Sequence, residues 1–100
     1  MTSRDDQWWG TRRPVGEPRP VWVYLPLVFP PARVVSREVP IGVRAYGIDN
    51  TATVPGELLA WQLTATGDWW AQIRLTLHNR NQRGALETEL WAPGAAVRPR

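Results

Sequence analysis

One hundred residues, 43% of them hydrophobic, fit one domain. All twelve basic side chains are arginine and the formal charge is +3, too mild a value to mark a nucleic-acid binder by itself. The chain has no cysteine, which excludes disulfides, thiolate-bound zinc, iron–sulfur clusters and thiol catalysis. No apolar run is long enough for a spanning helix, and residues 1–20 carry charges and prolines where a secretion signal has an apolar core. The expectation is a soluble, cytoplasmic chain without membrane contact.

In chain order, residues 1–20 read as a flexible Pro/Arg-containing arm, and residues 21–100 as the folded domain. Pro14, Pro18 and Pro20 lack amide donors, and Gly10 and Gly16 interrupt local order. The adjacent Trp8 and Trp9 are too bulky for a plain linker and are expected to dock on the domain. From residue 21 the pattern has period two. Val21, Val23, Leu25 and Leu27 alternate with Trp22, Tyr24 and Pro26, and Pro30-Pro31 ends the segment. Val39, Ile41, Val43 and Ala45 alternate with Pro40, Gly42, Arg44 and Tyr46, and residues 33–38 are candidates to extend that strand upstream. Gly47–Gly56 reads as a connection with turn signals at Asp49-Asn50 and Pro55-Gly56. Three further alternating segments follow, with Leu59, Trp61 and Leu63, then Trp69, Ala71, Ile73, Leu75 and Leu77, then Leu86, Thr88 and Leu90 on one side. Such repeated alternation argues for strands.

The turns fix a register. Ala65-Thr66-Gly67 suits a three-residue hairpin loop with Gly67 in the left-handed conformation. Closing it at Thr64 and Asp68 pairs Leu63 with Trp69, Trp61 with Ala71 and Leu59 with Ile73. All these apolar residues then share one face. Across the longer loop 78–85, Leu77 faces Leu86, Leu75 meets Thr88 and Ile73 meets Leu90. On the opposite face Arg74 lies against Glu89 and Gln72 beside Trp91. Pro93–Val97 is compatible with a single 3₁₀ turn.

About five short antiparallel strands in some 80 residues suggest an all-β, strongly bent small barrel. Trp69-Trp70 opening a strand, a polar loop, and then Leu90-Trp91-Ala92-Pro93-Gly94-Ala95-Ala96-Val97 resemble the C-terminal half of SH3-like barrels, including Tudor-like and KOW-type relatives. The likeness covers about the last 45 residues. Trp91-Ala92-Pro93 stands where the SH3 pattern has glycine, an aromatic or valine, and proline. The 21–46 segment also lacks the aromatic ALYDY motif of peptide-binding SH3 domains. The resemblance implies a binding module, since such barrels commonly bind peptides or nucleic acids and rarely catalyse.

Catalytic signals are sparse. His78 is the only histidine; Ser3 and Ser36 sit on no nucleophile turn, and Glu87 and Glu89 read as surface partners of Arg74. No phosphate-binding glycine motif and no calcium-type acidic loop is present, so neither an enzyme, a metal nor a cofactor is expected. The face opposite the aliphatic one gathers Trp22, Tyr24, Arg44, Tyr46, Trp70, Gln72, Arg74 and Trp91, more aromatic area than surfaces normally leave in water. Three uses compete: a second small core covered by Trp8 and Trp9 or by the barrel's own ends, a protein interface including a homodimer, or a DNA- or RNA-binding groove in which rings stack bases and arginines meet phosphates. The candidate binding residues are Arg44, Tyr46, Trp70, Arg74, Arg80, Arg83 and Trp91. The first expectation is nucleic-acid or nucleoprotein association, with a protein-interaction or homodimerisation module as the alternative.

Overall fold

The structure is a computed structural model that describes residues 7–30 and 39–100. Ser3, Ser36 and the 33–38 extension lie outside the described residues. The described chain forms β1 (Arg12–Tyr24), α1 (Leu25–Val28), α2 (Ile41–Tyr46), β2 (Thr53–Leu63), β3 (Trp69–His78), β4 (Ala85–Pro93), a 3₁₀ turn (Gly94–Ala96) and β5 (Val97–Pro99). The five strands make one antiparallel sheet in the order β4-β3-β2-β1-β5. The all-β expectation and the 3₁₀ turn hold; there are five strands, but the fifth is Val97–Pro99 and not the alternating segment around 39–46.

The meander follows the register that the turn residues dictate. Thr64 N–H donates to the Asp68 carbonyl at 2.9 Å, Gly67 has φ +89°, and Leu63 pairs with Trp69 and Trp61 with Ala71. Further on, a bulge at Leu59 shifts the ladder, so that Leu58 rather than Leu59 opposes Ile73. A bulge puts two residues opposite one and so exchanges faces upstream of it. Leu58 is buried and Leu59 is only half-buried. Between β3 and β4, Leu77 pairs with Leu86, Leu75 with Thr88, Ile73 with Leu90, Arg74 with Glu89 and Gln72 with Trp91, as alternation requires.

The core is one cluster. It takes Val21 and Val23 from β1, Leu25 from α1, Leu58 from β2, Ala71, Ile73, Leu75 and Leu77 from β3, Ala92 from β4 and Ala96 from the 3₁₀ turn. Ile73 and Val23 have no exposed surface. Burying each such side chain is worth about 1.5–3 kcal/mol. The packing is tight at Gly56, where a Cβ would stand 3.2 Å from both the Arg74 carbonyl oxygen and Val23 Cγ2 and would press its neighbours back.

Four expectations are corrected. The supposed arm is in part strand: β1 starts at Arg12, and Arg12, Arg13 and Pro14 pair with Gln62, Trp61 and Ala60 before the ladder shifts between Pro14 and Arg19. Pro14 and Pro18 are tolerated because β5 flanks β1 only at Val21–Val23, so no partner on that side asks for their amide hydrogens. Gly16, at φ +79°, sits within the irregular stretch. Next, the strand from residue 21 stops at Tyr24. Pro26 enters the first turn of α1, a position where its missing donor costs nothing, and Leu27 is exposed rather than core. Finally, residues 41–46 are a helix and not a strand. β2 also begins at Thr53, inside the expected connection.

Candidate functional site

The seven candidate residues fall into two groups. Trp70 and His78 lie eight positions apart on β3, about 26 Å at 3.3 Å per residue. Arg44, Tyr46, Arg80 and Arg83 gather beyond the His78 end. Trp70, Arg74 and Trp91 stay on the sheet. The expected union of Arg44 and Tyr46 with Trp70 and Trp91 on one strand face is corrected by the helical geometry of 41–46.

The first group is built by α2 and the β3–β4 loop. α2 has no side-chain cap; Gly47 N–H closes it on the Val43 carbonyl at 2.8 Å. The loop binds this end at two points: Asn81 N–H donates to the Ala45 carbonyl at 3.0 Å, and Arg80 N–H donates to that of the C-cap Gly47 at 3.1 Å. The loop is itself tied by Asn79, whose side-chain Oδ1 accepts Gly84 N–H at 2.8 Å. Arg44 and Arg80 thereby line the same clefts, one of them with Ile41, Ala45 and Asn81. No α2 residue is buried. Ile41 is 83% exposed, Tyr46 61% and Val43 57%. Val43 and Tyr46, three apart, share one helix side, while Ile41, Arg44 and Ala45 share another.

Asp49 is the acid of this end. It accepts Thr51 Oγ1 at 2.6 Å and Thr51 N–H at 3.0 Å. The Thr51 hydroxyl chiefly, then its amide and the nearby Arg80 charge, hold the Asp49 carboxyl below its ordinary value of 3.8.

On the sheet, Trp70 and Trp91 line one shallow cleft with Gln62 and Thr64. Arg12 reaches across β2 to this face. Its Nη2 donates to Gln72 Oε1 at 2.9 Å, and its guanidinium carbon lies 6.0 Å from the centre of the Trp91 ring. β1 and β3 are two strand spacings apart, roughly 10 Å, so the crossing needs a small residue beneath it. Ala60, paired with Gln72 on one side and Pro14 on the other, supplies that gap. Arg74 is engaged by Glu57, at 3.1 Å from its Nη2, and not by Glu89, its in-register neighbour. Glu57, Glu87 and Glu89 surround this one arginine on the same face of the sheet.

Sequence reasoning missed a second use of β1. Because alternate residues point to opposite faces, Arg12 covers Trp91 while Arg13 turns to the other face. There its guanidinium carbon lies 4.8 Å above the Trp69 ring. Arg13, Trp61, Trp69 and Gly94 line a cleft of about 370 Å³. Arg100 similarly stacks on Trp22 at 5.7 Å. Arginine stacking thus covers part of the aromatic surplus. Trp8 and Trp9 do not dock as expected: they are 48% and 89% exposed. The missed signal was Arg12-Arg13 ahead of a chain rich in tryptophan, masked by the prolines that follow.

His78 lines a separate cleft with Glu57, Arg74, Thr76 and Glu87. Among the described residues, no three His, Asp or Glu side chains converge as metal ligands, and no helix is long and apolar enough to cross a membrane. Comparison with protein-family models, curated proteins and solved structures finds no match for this chain.

Proposed function

We propose that the chain is a non-catalytic protein-interaction module, that its sheet is a small SH3-like barrel, and that α2 with the β3–β4 loop forms its contact surface. The strand order β4-β3-β2-β1-β5, and the 3₁₀ turn between β4 and β5, support the barrel. Contacts of α1 with both β4 and the 3₁₀ turn, across the sheet from the strand that leads into it, support a closely curled sheet.

The observation that carries the function is that α2 buries none of its side chains while its C-terminal end is anchored to the loop at Ala45 and Gly47. A six-residue helix in water is too short to persist on propensity. Holding Ile41, Val43 and Tyr46 outward beside Arg44 and Arg80 suits a partner protein, since aromatic and arginine side chains anchor interfaces and aliphatic ones gain from burial there. Aliphatic side chains offer a phosphate backbone nothing. The three glutamates around Arg74 oppose any phosphate path from this end toward Trp70 and Trp91.

The clustering of Arg44, Arg80 and Arg83 with Tyr46 favours a second reading, nucleic-acid association at the same end, with the ring stacking on a base. One experiment separates the readings. A photo-crosslinking amino acid is placed at Val43 in the cell, with Thr66 at the opposite hairpin as control. The proposal expects a defined protein adduct, or a dimer of the chain, from Val43 and none from Thr66, with the Ile41→Asp variant losing it. Nucleic-acid adducts whose yield falls steeply with salt would favour the second reading, and equal labelling from both positions would overturn both.

A further inference from the structure

The cleft between Arg13, Trp61, Trp69 and Gly94 lies far from α2 and is independent of the reading above. β1, β2 and β3 build it side by side. Arg13 pairs with Trp61 across β1 and β2, and Trp69 pairs with Leu63, two residues along from Trp61. Arg13, Trp61 and Trp69 therefore form a diagonal on one face, with the rings within contact range. The 3₁₀ turn closes one side through Gly94. A Cβ at that position would stand 3.0 Å from the Trp69 carbonyl oxygen and 3.6 Å from Trp61 Cζ3, so any larger residue would push the turn away from the Trp69 backbone.

Charge and apolar wall meet here. The Arg13 guanidinium lies on the Trp69 ring at 4.8 Å, leaving its N–H edge available. Among the described residues no carboxylate stands within 4.0 Å of it, the Arg74–Glu57 pair being the ion pair present. An arginine stacked on an indole is pre-oriented for two parallel bonds to a carboxylate. The four lining residues include no acid, so an ammonium group would find no carboxylate partner and would meet the like charge of Arg13.

We infer that this cleft binds the C-terminal residue of a partner polypeptide, its terminal carboxylate on Arg13 and its apolar side chain between Trp61 and Trp69. In a chain end, carboxylate and side chain leave the same carbon, and the Arg13 guanidinium lies directly against the indole wall, 4.8 Å from the Trp69 ring centre. An internal Asp or Glu would have to borrow its apolar group from a neighbour pointing the other way along an extended chain. A free amino acid would bring an ammonium with no counter-charge.

The test uses the full chain labelled with ¹⁵N and follows the tryptophan indole N–H signals by NMR, with single Trp→Phe variants giving the assignments. The probes are acetyl-Gly-Gly-Phe with a free carboxylate, the same peptide as its C-terminal amide, and free phenylalanine. The acid is expected to shift the Trp61 and Trp69 signals saturably and to leave those of Trp22 and Trp91 in place. The amide and free phenylalanine are expected to bind at least tenfold more weakly. Arg13→Gln, at an exposed position, is expected to keep the dispersed amide spectrum of the folded chain and to reduce the acid to the level of the amide. Equal binding of acid and amide, binding by the acid undiminished in Arg13→Gln, or no shift at Trp61 and Trp69 overturns the assignment. Free phenylalanine binding as tightly as the peptide acid overturns the chain-end occupant.

Discussion

β3 and α2 begin from the same sequence pattern and end as opposites. In β3, Ala71, Ile73, Leu75 and Leu77 alternate with polar or aromatic residues, and all four are buried. Around α2, Val39, Ile41, Val43 and Ala45 alternate just as strictly, yet no residue of the helix is buried. The difference lies in neighbours. β3 has β2 and β4 on its two edges, and each ladder satisfies its backbone while the shared face packs. Residues 41–46 have a proline before them and a glycine after them, and no strand takes up their backbone. With no ladder to join, the segment closes on itself as one short helix, and the loop amide of Asn81 caps the Ala45 carbonyl. Alternation proposes a strand; pairing decides it.

The contrast can be broken most severely at Ile73. Ile73→Ala should lower unfolding free energy by about 2–5 kcal/mol, the range for large-to-small changes in a packed core, whereas Val43→Ala should stay within about 0.5 kcal/mol. Chemical denaturation of both variants checks the pair, and a comparable loss in Val43→Ala would mean that α2 belongs to the core. Glycines sharpen the same point at lower energy. Gly67, at φ +89° in the β2–β3 hairpin, should cost roughly 1–2 kcal/mol when replaced by alanine. Gly42, inside α2 with nothing within 4 Å of an added Cβ, should instead gain helix stability of roughly 0.5–1 kcal/mol on Gly42→Ala. Amide exchange should therefore quicken in the hairpin of the first variant and slow in α2 of the second.

Smaller effects concern charge. Glu57→Gln should cost a few tenths of a kcal/mol, as expected of an ion pair whose members are both more than one-third exposed; no measurable coupling with Arg74 in a double-mutant cycle would show that the pair contributes nothing. At the α2 end, the lowered Asp49 carboxyl contributes stability that is fully present above its unfolded value and is lost as pH falls through the lower folded one. Protonation should thus release Thr51 only in the acid range below about 3.8. A carboxyl NMR titration checks the direction, and an Asp49 midpoint above that value would contradict the turn geometry.

Much of the meander was legible because its local signals agree. Gly67 sets the loop, the loop sets Leu63 opposite Trp69, and alternation then carries the register through Leu77 and Leu86. The bulge at Leu59 was not legible: Leu58 and Leu59 are both leucine, so composition could not say which would face Ile73. β1 was hidden by Pro14, Pro18 and Pro20, which weaken a strand only where a second neighbour needs their amides. The candidate residues were found mostly by type, and their grouping depended on the state of 41–46. Once that segment coils, Arg44 and Tyr46 leave the sheet and join Arg80 and Arg83. Arg12 and Arg13 escaped notice because they were assigned to an arm, although the tryptophans they cover were already conspicuous.

Native-state hydrogen exchange of the backbone amides tests most directly the claim that the sheet is a scaffold and α2 a surface held out from it. The amides of Ile73 and Leu75 should exchange only through global unfolding, while those of Val43, Arg44 and Ala45 should exchange orders of magnitude faster through local opening. Protection in α2 equal to that in β3 would contradict the account, because the helix would then be a cooperative part of the core.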